Sequence, residues 1–286
     1  MAEIYGFYPR KKSIFGLLSA TTTLIILNVL AFIMFLILLV LFRNNTQSLY
    51  DFVALSPLNI LHGKYLWTFI TSMFMHDGVA HLFFNMFSLA FIGSFVEKII
   101  GRKRFISFYL ISGLFAGIVF VALSGLFGNS ILGAKIFGDP NISGVGASGA
   151  IFGLLGLLAV LVPYSKVYLI LGPLLAIVVG SISESALPAS SSGVINLLVN
   201  FYFVISVFAI FSFNERFRKV ALPIGMPLWL LPIVAIIPLV VVGLFVPLPI
   251  ANTAHFGGLL AGLAYGFYLK SKYRKKTRYI SKHFSQ

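Results

Sequence analysis

Apolar runs follow one another along this chain, separated by short polar breaks. Eight of them, at about 17–42, 79–97, 105–127, 146–162, 167–182, 194–213, 227–246 and 250–270, are long enough to be weighed as membrane spans. A helix needs roughly 20 residues to cross a bilayer core, and some of these runs are shorter than that. The segment 43–78 is half apolar and broken by Pro57, Gly63 and Trp67. It predicts an outer interfacial loop, with Tyr65 and Trp67 at the depth where amphipathic rings are favoured. The stretch 128–145 is rich in Gly and Asn and reads as a loop. The Ser/Ala/Pro run at 183–193 holds one Glu and no basic residue, which suits an outside turn between two spans. No internal repeat points to an inverted-repeat transporter.

Charge gives these runs a direction. With the N-terminus inside, 18 of the 21 Lys and Arg residues fall on inner segments, leaving only Arg43, Lys64 and Lys135 outside. The positive-inside rule therefore predicts eight spans with both ends cytoplasmic. The first run follows Arg10-Lys11-Lys12, is too long for a signal-peptide core and lacks a small-residue cleavage site, so it reads as a retained span. Only 10% of the 286 residues are charged and the mean hydropathy is +1.01, where a soluble domain would be about a quarter charged. The fold class expected is an all-α polytopic membrane protein, a single domain over 1–286. The net charge of +14 lies largely in topology anchors, such as the basic cytoplasmic tail 271–286, so the bilayer is the expected partner and nucleic acid is not. The absence of cysteine excludes disulfides, thiolate metal sites and a cysteine nucleophile.

Ionisable groups are costly inside a bilayer and mark function by default. The seven acidic residues lie at span ends or in loops, and of five histidines only His81 and His255 fall within predicted spans. Asn85 follows His81 by four residues and shares its helix face. Ser148 lies in the run Gly146-Ala147-Ser148-Gly149-Ala150-Ile151-Phe152-Gly153, at a predicted helix N-terminus where unpaired N–H groups favour developing negative charge. The predicted spans carrying His81, Ser148 and His255 all run from outside to inside, which sets the polar groups at one depth. Serine needs a base, and histidine suits that task near neutrality. With no carboxylate in a span, the pair would be a Ser–His dyad. Phe152, on the serine's helix face, could stack on the imidazole. His81, Asn85 and N–H groups around Ser148, next to Gly146, can donate to an oxyanion. Gly258, Gly262 and Gly266 recur every four residues after His255, and Gly149 and Gly153 offer a matching surface, so the two helices can meet closely. At about 17 residues, or roughly 26 Å, the serine helix would start below the outer surface, in a water-accessible dip.

The set His81-Leu82-Phe83-Phe84-Asn85, Gly146-Ala147-Ser148-Gly149 and Ala254-His255-Phe256-Gly257-Gly258 resembles the rhomboid intramembrane serine proteases. The resemblance implies a six-helix core, Ser148 as nucleophile, His255 as general base, and His81, Asn85 and the Ser148 backbone as oxyanion donors. It also implies substrates that are single-span membrane proteins, cleaved near small residues after the helix unwinds, with no metal or other cofactor. Two departures stand out. The family's first outer loop often carries Trp-Arg, whereas Trp67 here precedes Thr68, which predicts altered loop hydrogen bonding with catalysis intact. Ser148 and His255 lie 107 residues apart, leaving room for three helices where the family has one. Pro223-Ile224-Gly225-Met226-Pro227-Leu228-Trp229 resembles the usual start of that one helix, so 166–219 is the expected inserted helix pair. The cell membrane is the expected location.

Other classes fit less well. A transporter would carry charges within spans, a zinc protease would show His-Glu-x-x-His, and an aspartyl intramembrane protease would need Asp in a span. A catalytically inactive rhomboid-like binding or trafficking protein is the main alternative, and the presence of both Ser148 and His255 argues against it.

Overall fold

A computed structural model describes residues 18–245 and 251–284. The basic cluster Arg10-Lys11-Lys12, the first residue of the first predicted span, the end of 227–246 and the start of 250–270 lie outside the described residues.

Helix α1 (Ala20–Leu41) begins at Ser19, whose hydroxyl accepts from the Thr22 N–H. The Glu97 carboxylate also accepts from the N–H groups of Ala20 and Thr21 and from the Thr21 hydroxyl, each at 2.8 Å. An anion at a helix N-terminus satisfies groups that have no intrahelical partner. It also ties α1 to the helical segment Ser94–Ile100. The predicted interfacial loop 43–78 folds as three short helices, α2 (Thr46–Val53), α3 (Pro57–Leu61) and α4 (Thr68–Thr71). Helix α5 (Val79–Ile100) is α-helical to Ser88, widens to a π-turn at Leu89–Gly93 and resumes to Ile100. Helix α6 (Arg102–Phe127) follows Gly101, and a short α7 (Ile131–Phe137) follows that.

Helix α8 (Ser148–Leu161) is the core of the molecule. Leu154, Leu157 and Leu158 are fully buried within it, packed by α5, α6 and α13 (Asn252–Lys272). A helix that is apolar on all sides must be surrounded by others. Glycine controls how close α13 comes. A Cβ on Gly258 would strike the Gly149 carbonyl oxygen, and one on Gly262 would strike the Gly153 carbonyl and come within 2.9 Å of the Gly156 Cα. The two backbones therefore touch, an approach that small residues alone permit.

Between α8 and α12 (Leu231–Gly243) lies the segment in which the two added helices are expected. It holds α9 (Leu171–Ala186) and α10 (Ala189–Ile210), which pair as a hairpin, followed by the one-turn α11 (Glu215–Arg218). The turn is only Leu187-Pro188, shorter than the loop predicted over 183–193. The expectation of an all-α chain needs correction here. β1 (Lys166–Ile170) pairs antiparallel with β2 (Pro223–Pro227), Lys166 opposite Pro227 and Ile170 opposite Pro223. Prolines bracketing both segments disfavour helix, and Val167-Tyr168-Leu169-Ile170 favours extended chain. The Pro223–Pro227 stretch, expected to lead into a helix, is thus a strand, and α12 starts four residues later.

The reading of 271–286 as a tail is also revised. Residues 274–283 form α14 (Arg274–His283), which folds back on the bundle, with Thr277 buried and the Ser165 hydroxyl donating to the Phe284 carbonyl at 2.7 Å. Among the described residues, Ala20–Leu41, Val79–Ile100, Arg102–Phe127 and Ser191–Ile210 are long and apolar enough to cross a membrane. Ser148–Leu161, Leu171–Glu184 and Leu231–Gly243 are shorter apolar helices.

Candidate active site

Ser148 is the first residue of α8, and the chain leading to it is held from both sides. Leu55 and Gly144 exchange backbone hydrogen bonds of 3.0 and 2.9 Å, and the Gly146 N–H donates to the Ser72 carbonyl at 2.8 Å. The 43–78 segment thus fixes the approach to the serine. The loop is braced in turn by the Trp67 indole donating to the Phe52 carbonyl and by the hydroxyls of Thr68 and Thr71 donating to those of Tyr65 and Val53. Thr68, which stands where the resemblance leads one to expect Arg, is buried in this local network.

His255 lies in the first turn of α13, one turn before the Gly258 contact. Its Nε2 is 2.8 Å from Ser148 Oγ, a hydrogen bond between residues 107 apart. Phe152 stacks on the imidazole with ring centroids 4.3 Å apart and planes 13° from parallel. Nδ1 of His255 is buried and has no hydrogen-bond partner among the described residues. Ring orientation is therefore held by the stack and the serine, without a carboxylate.

His81 and Asn85 approach from α5. Gly146 has φ +119°, a conformation that glycine adopts without strain. An atom at its missing Cβ would lie 2.8 Å from His81 Nε2 and 3.5 Å from Asn85 Nδ2. Gly146 is thus packed under both side chains. Its own N–H already serves the Ser72 carbonyl, so what Gly146 gives the site in this structure is room. The first-turn N–H groups of α8, Ser148 among them, have no intrahelical acceptor and remain the backbone donors nearby. Gly149 faces α6 at Ala116 and the Ala254 carbonyl of α13, and Gly258 seats on Gly149. A cavity of about 40 Å³ opens beside Ser148, walled by Ser72, Met73, Gly144, Ala116 and Ala254.

Two residues at this site escape a reading by spans. Asp77 Oδ1 accepts from His81 Nδ1 at 2.7 Å, and His76, fully buried, stands edge-on to His81 with centroids 5.1 Å apart. Neither lies in a predicted span, and the only signal for Asp77 is its place four residues before His81. The hydrogen bond from His81 holds the Asp77 carboxyl below its ordinary value against the effect of partial burial. Burial, reinforced by His81, pushes His76 down to about 4.

Comparison with known proteins agrees with this architecture. The family model described as "Rhomboid domain" matches residues 63–192 and 202–272, well over half of the chain. The chain is 30% identical over 226 residues to "RHOMBOID-like protein 6, mitochondrial" of Arabidopsis thaliana, covering 79% of this chain and 50% of that protein. It is 43% identical over 97 residues to "RHOMBOID-like protein 4" of the same plant, covering 34% and 21%. It is 36% identical over 115 residues to "Rhomboid protease GluP" of Bacillus subtilis strain 168, covering 40% and 19%. The chain thus spans half or less of the length of these curated relatives. With the apolar helices, the matched domain makes it an integral membrane protein, and the chain belongs to the rhomboid family.

Proposed function

We propose that the protein is a serine endopeptidase that cleaves transmembrane substrate helices within the bilayer, near small residues. The observation carrying this reading is the 2.8 Å hydrogen bond between Ser148 Oγ and His255 Nε2, made by side chains from separate helices whose backbones touch. A neutral imidazole at that distance can take the hydroxyl proton as Oγ attacks a substrate carbonyl carbon. The resulting oxyanion would lie by the α8 N-terminus, where unpaired N–H groups meet the side chains of His81 and Asn85. His255 then returns the proton to the leaving amine, and water, activated by the same ring, frees the acyl group from Ser148. Phe152 orients the imidazole where a triad would use a carboxylate.

Asp77 completes the reading of His81. With Nδ1 turned to the carboxylate, Nε2 is the ring atom that faces Gly146 on the serine side of the site. The single-span substrate has to expose one peptide bond, so unwinding near small residues, which are poor at filling the helix surface, goes with a serine set at a helix end. The bilayer is the medium and substrate source, and no cofactor enters the scheme.

Purified protein should cleave a model single-span substrate and be labelled by a fluorophosphonate probe, and Ser148→Ala should abolish both while its thermal unfolding stays as in wild type. Undiminished cleavage by a folded Ser148→Ala protein would overturn the assignment and favour an inactive, client-binding member of the family.

The same proposal places eight spans with both ends cytoplasmic, in the cell membrane, the extra pair being α9–α10. Because the chain lacks cysteine, Ser191→Cys, in the first turn of α10 next to the hairpin turn, should react with an impermeant maleimide from outside intact cells. Labelling only after permeabilisation would refute that topology.

A further inference from the structure

A cavity of about 650 Å³ opens at the end of α8 remote from Ser148. Its apolar floor is Val160 and Leu161, in the last turn of α8, with Phe267 of α13. Its rim carries Lys270, Arg274, Arg278 and Lys282, and among the described residues no Asp or Glu lines it. Cations at every fourth residue fall on one face of a helix. Here the row bends with the chain at Tyr273, between α13 and α14, so that it wraps the cavity. The wall is built into the fold. Thr277 is buried, Phe284 meets Phe95 with centroids 4.8 Å apart, and the Ser165 hydroxyl holds the Phe284 carbonyl.

Four like charges around one cavity repel one another unless an anion sits between them. Arginine forks match phosphate oxygens in pairs, and lysine adds point charge. The apolar floor beneath the cations fits a ligand whose charged group continues into hydrocarbon. We infer that this cavity binds the phosphate headgroup of an anionic phospholipid, with Arg274 and Arg278 on the phosphate and the Val160–Leu161–Phe267 floor under the start of an acyl chain. A soluble phosphate shares the anionic chemistry and would make no use of the floor.

The test compares two double variants that lose the same charge. The full chain is placed in phosphatidylcholine nanodiscs doped with phosphatidylglycerol, and bound lipid is counted by native mass spectrometry. Arg274→Gln/Arg278→Gln should lower phosphatidylglycerol retention by roughly tenfold, as expected for lost charge-assisted contacts. Lys275→Gln/Lys276→Gln, on the same helix away from the cavity, should retain lipid as wild type does. Equal loss in both variants would reduce the effect to net charge and overturn the inference, as would no loss in either. Lys270→Gln/Lys282→Gln carries the same expectation should the arginine pair fail to fold. Displacement of the lipid by inorganic phosphate at matched concentration would reassign the cavity to a soluble anion and overturn the lipid assignment.

Discussion

Two helix pairs in this protein are built from similar apolar sequence and packed in opposite ways. In the α8–α13 pair, Gly149, Gly153 and Gly156 face Gly258 and Gly262, and backbone lies on backbone. In the α9–α10 pair, Leu197, Leu198, Phe201 and Phe208 are more than three-fifths exposed. That hairpin is anchored by the β1–β2 ribbon, by the Tyr202 hydroxyl donating to the Val220 carbonyl, and by ring contacts of Phe203 with Phe84 and Phe211 with Phe87. The first pair sets the separation of Ser148 and His255, a quantity that the proposed proton transfer needs held to a fraction of an ångström. The second pair sets nothing so exact. It lies alongside α5 with its outer face suited to lipid, and its contacts are the adaptable kind made by aromatic side chains.

The sharpest way to break this contrast is to put a side chain into the seam. Gly258→Leu would drive its Cβ onto the Gly149 carbonyl, where no rotamer relieves the clash. The helices must part, and His255, one turn away, must leave Ser148. We expect substrate cleavage to fall by at least about 100-fold, the scale of a 1 Å misplacement, and stability to fall by about 1–3 kcal/mol from overpacking. Turnover of a single-span substrate, together with thermal unfolding in detergent, checks both. Near-normal turnover would mean that the seam does not set the dyad.

The second prediction concerns acid and the α5 side of the site. His76 is buried and held down to about 4 from an ordinary 6.5. Above 6.5 neither the folded nor the unfolded chain binds the proton, so folding is unaffected. As the pH falls from 6.5 towards 4, the unfolded chain takes up a proton that the folded one resists, and stability declines by up to about 3 kcal/mol. Asp77, also depressed, acts in the same direction, its contribution being lost as pH falls through its folded value. Thermal unfolding across that window should slope more gently in His76→Phe than in wild type.

How far the site could be read from sequence follows from the same physics. Ser148 and Phe152, and the glycines on α8 and α13, repeat at helical spacing, so a 3.6-residue period is enough to align them. The meeting of His255 with Ser148 needs the topology as well, since 107 residues separate them. Asp77 is hard to read because it precedes α5: its four-residue spacing to His81 runs across the helix start, outside the apolar run that marks the span. The π-turn at Leu89–Gly93 reflects tertiary packing, with Gly93 set against Thr21 and Phe105, and has no local propensity behind it. Helix α14 reads as a tail because its basic residues dominate its composition. What docks it is the sparse set Thr277, Ile280 and Phe284.

The smallest effect is expected in the hairpin, and it tests the other half of the comparison. Phe203→Ala removes the edge-on contact with Phe84, whose rings meet at 5.3 Å. An aromatic pair of this kind is worth about 0.5–1.5 kcal/mol beyond its burial. Much of that is recovered if lipid fills the gap, because lipid tails are as apolar as the side chain they replace. Thermal unfolding should therefore shift little, and cleavage should stay within about twofold of wild type, since α5 keeps its own contacts to α1 and α8. A large loss of turnover without loss of stability would show that α10 positions His81 and Asn85 through α5. The hairpin would then belong with the glycine seam to the proposed catalytic machinery, and the contrast between the two pairs would fail.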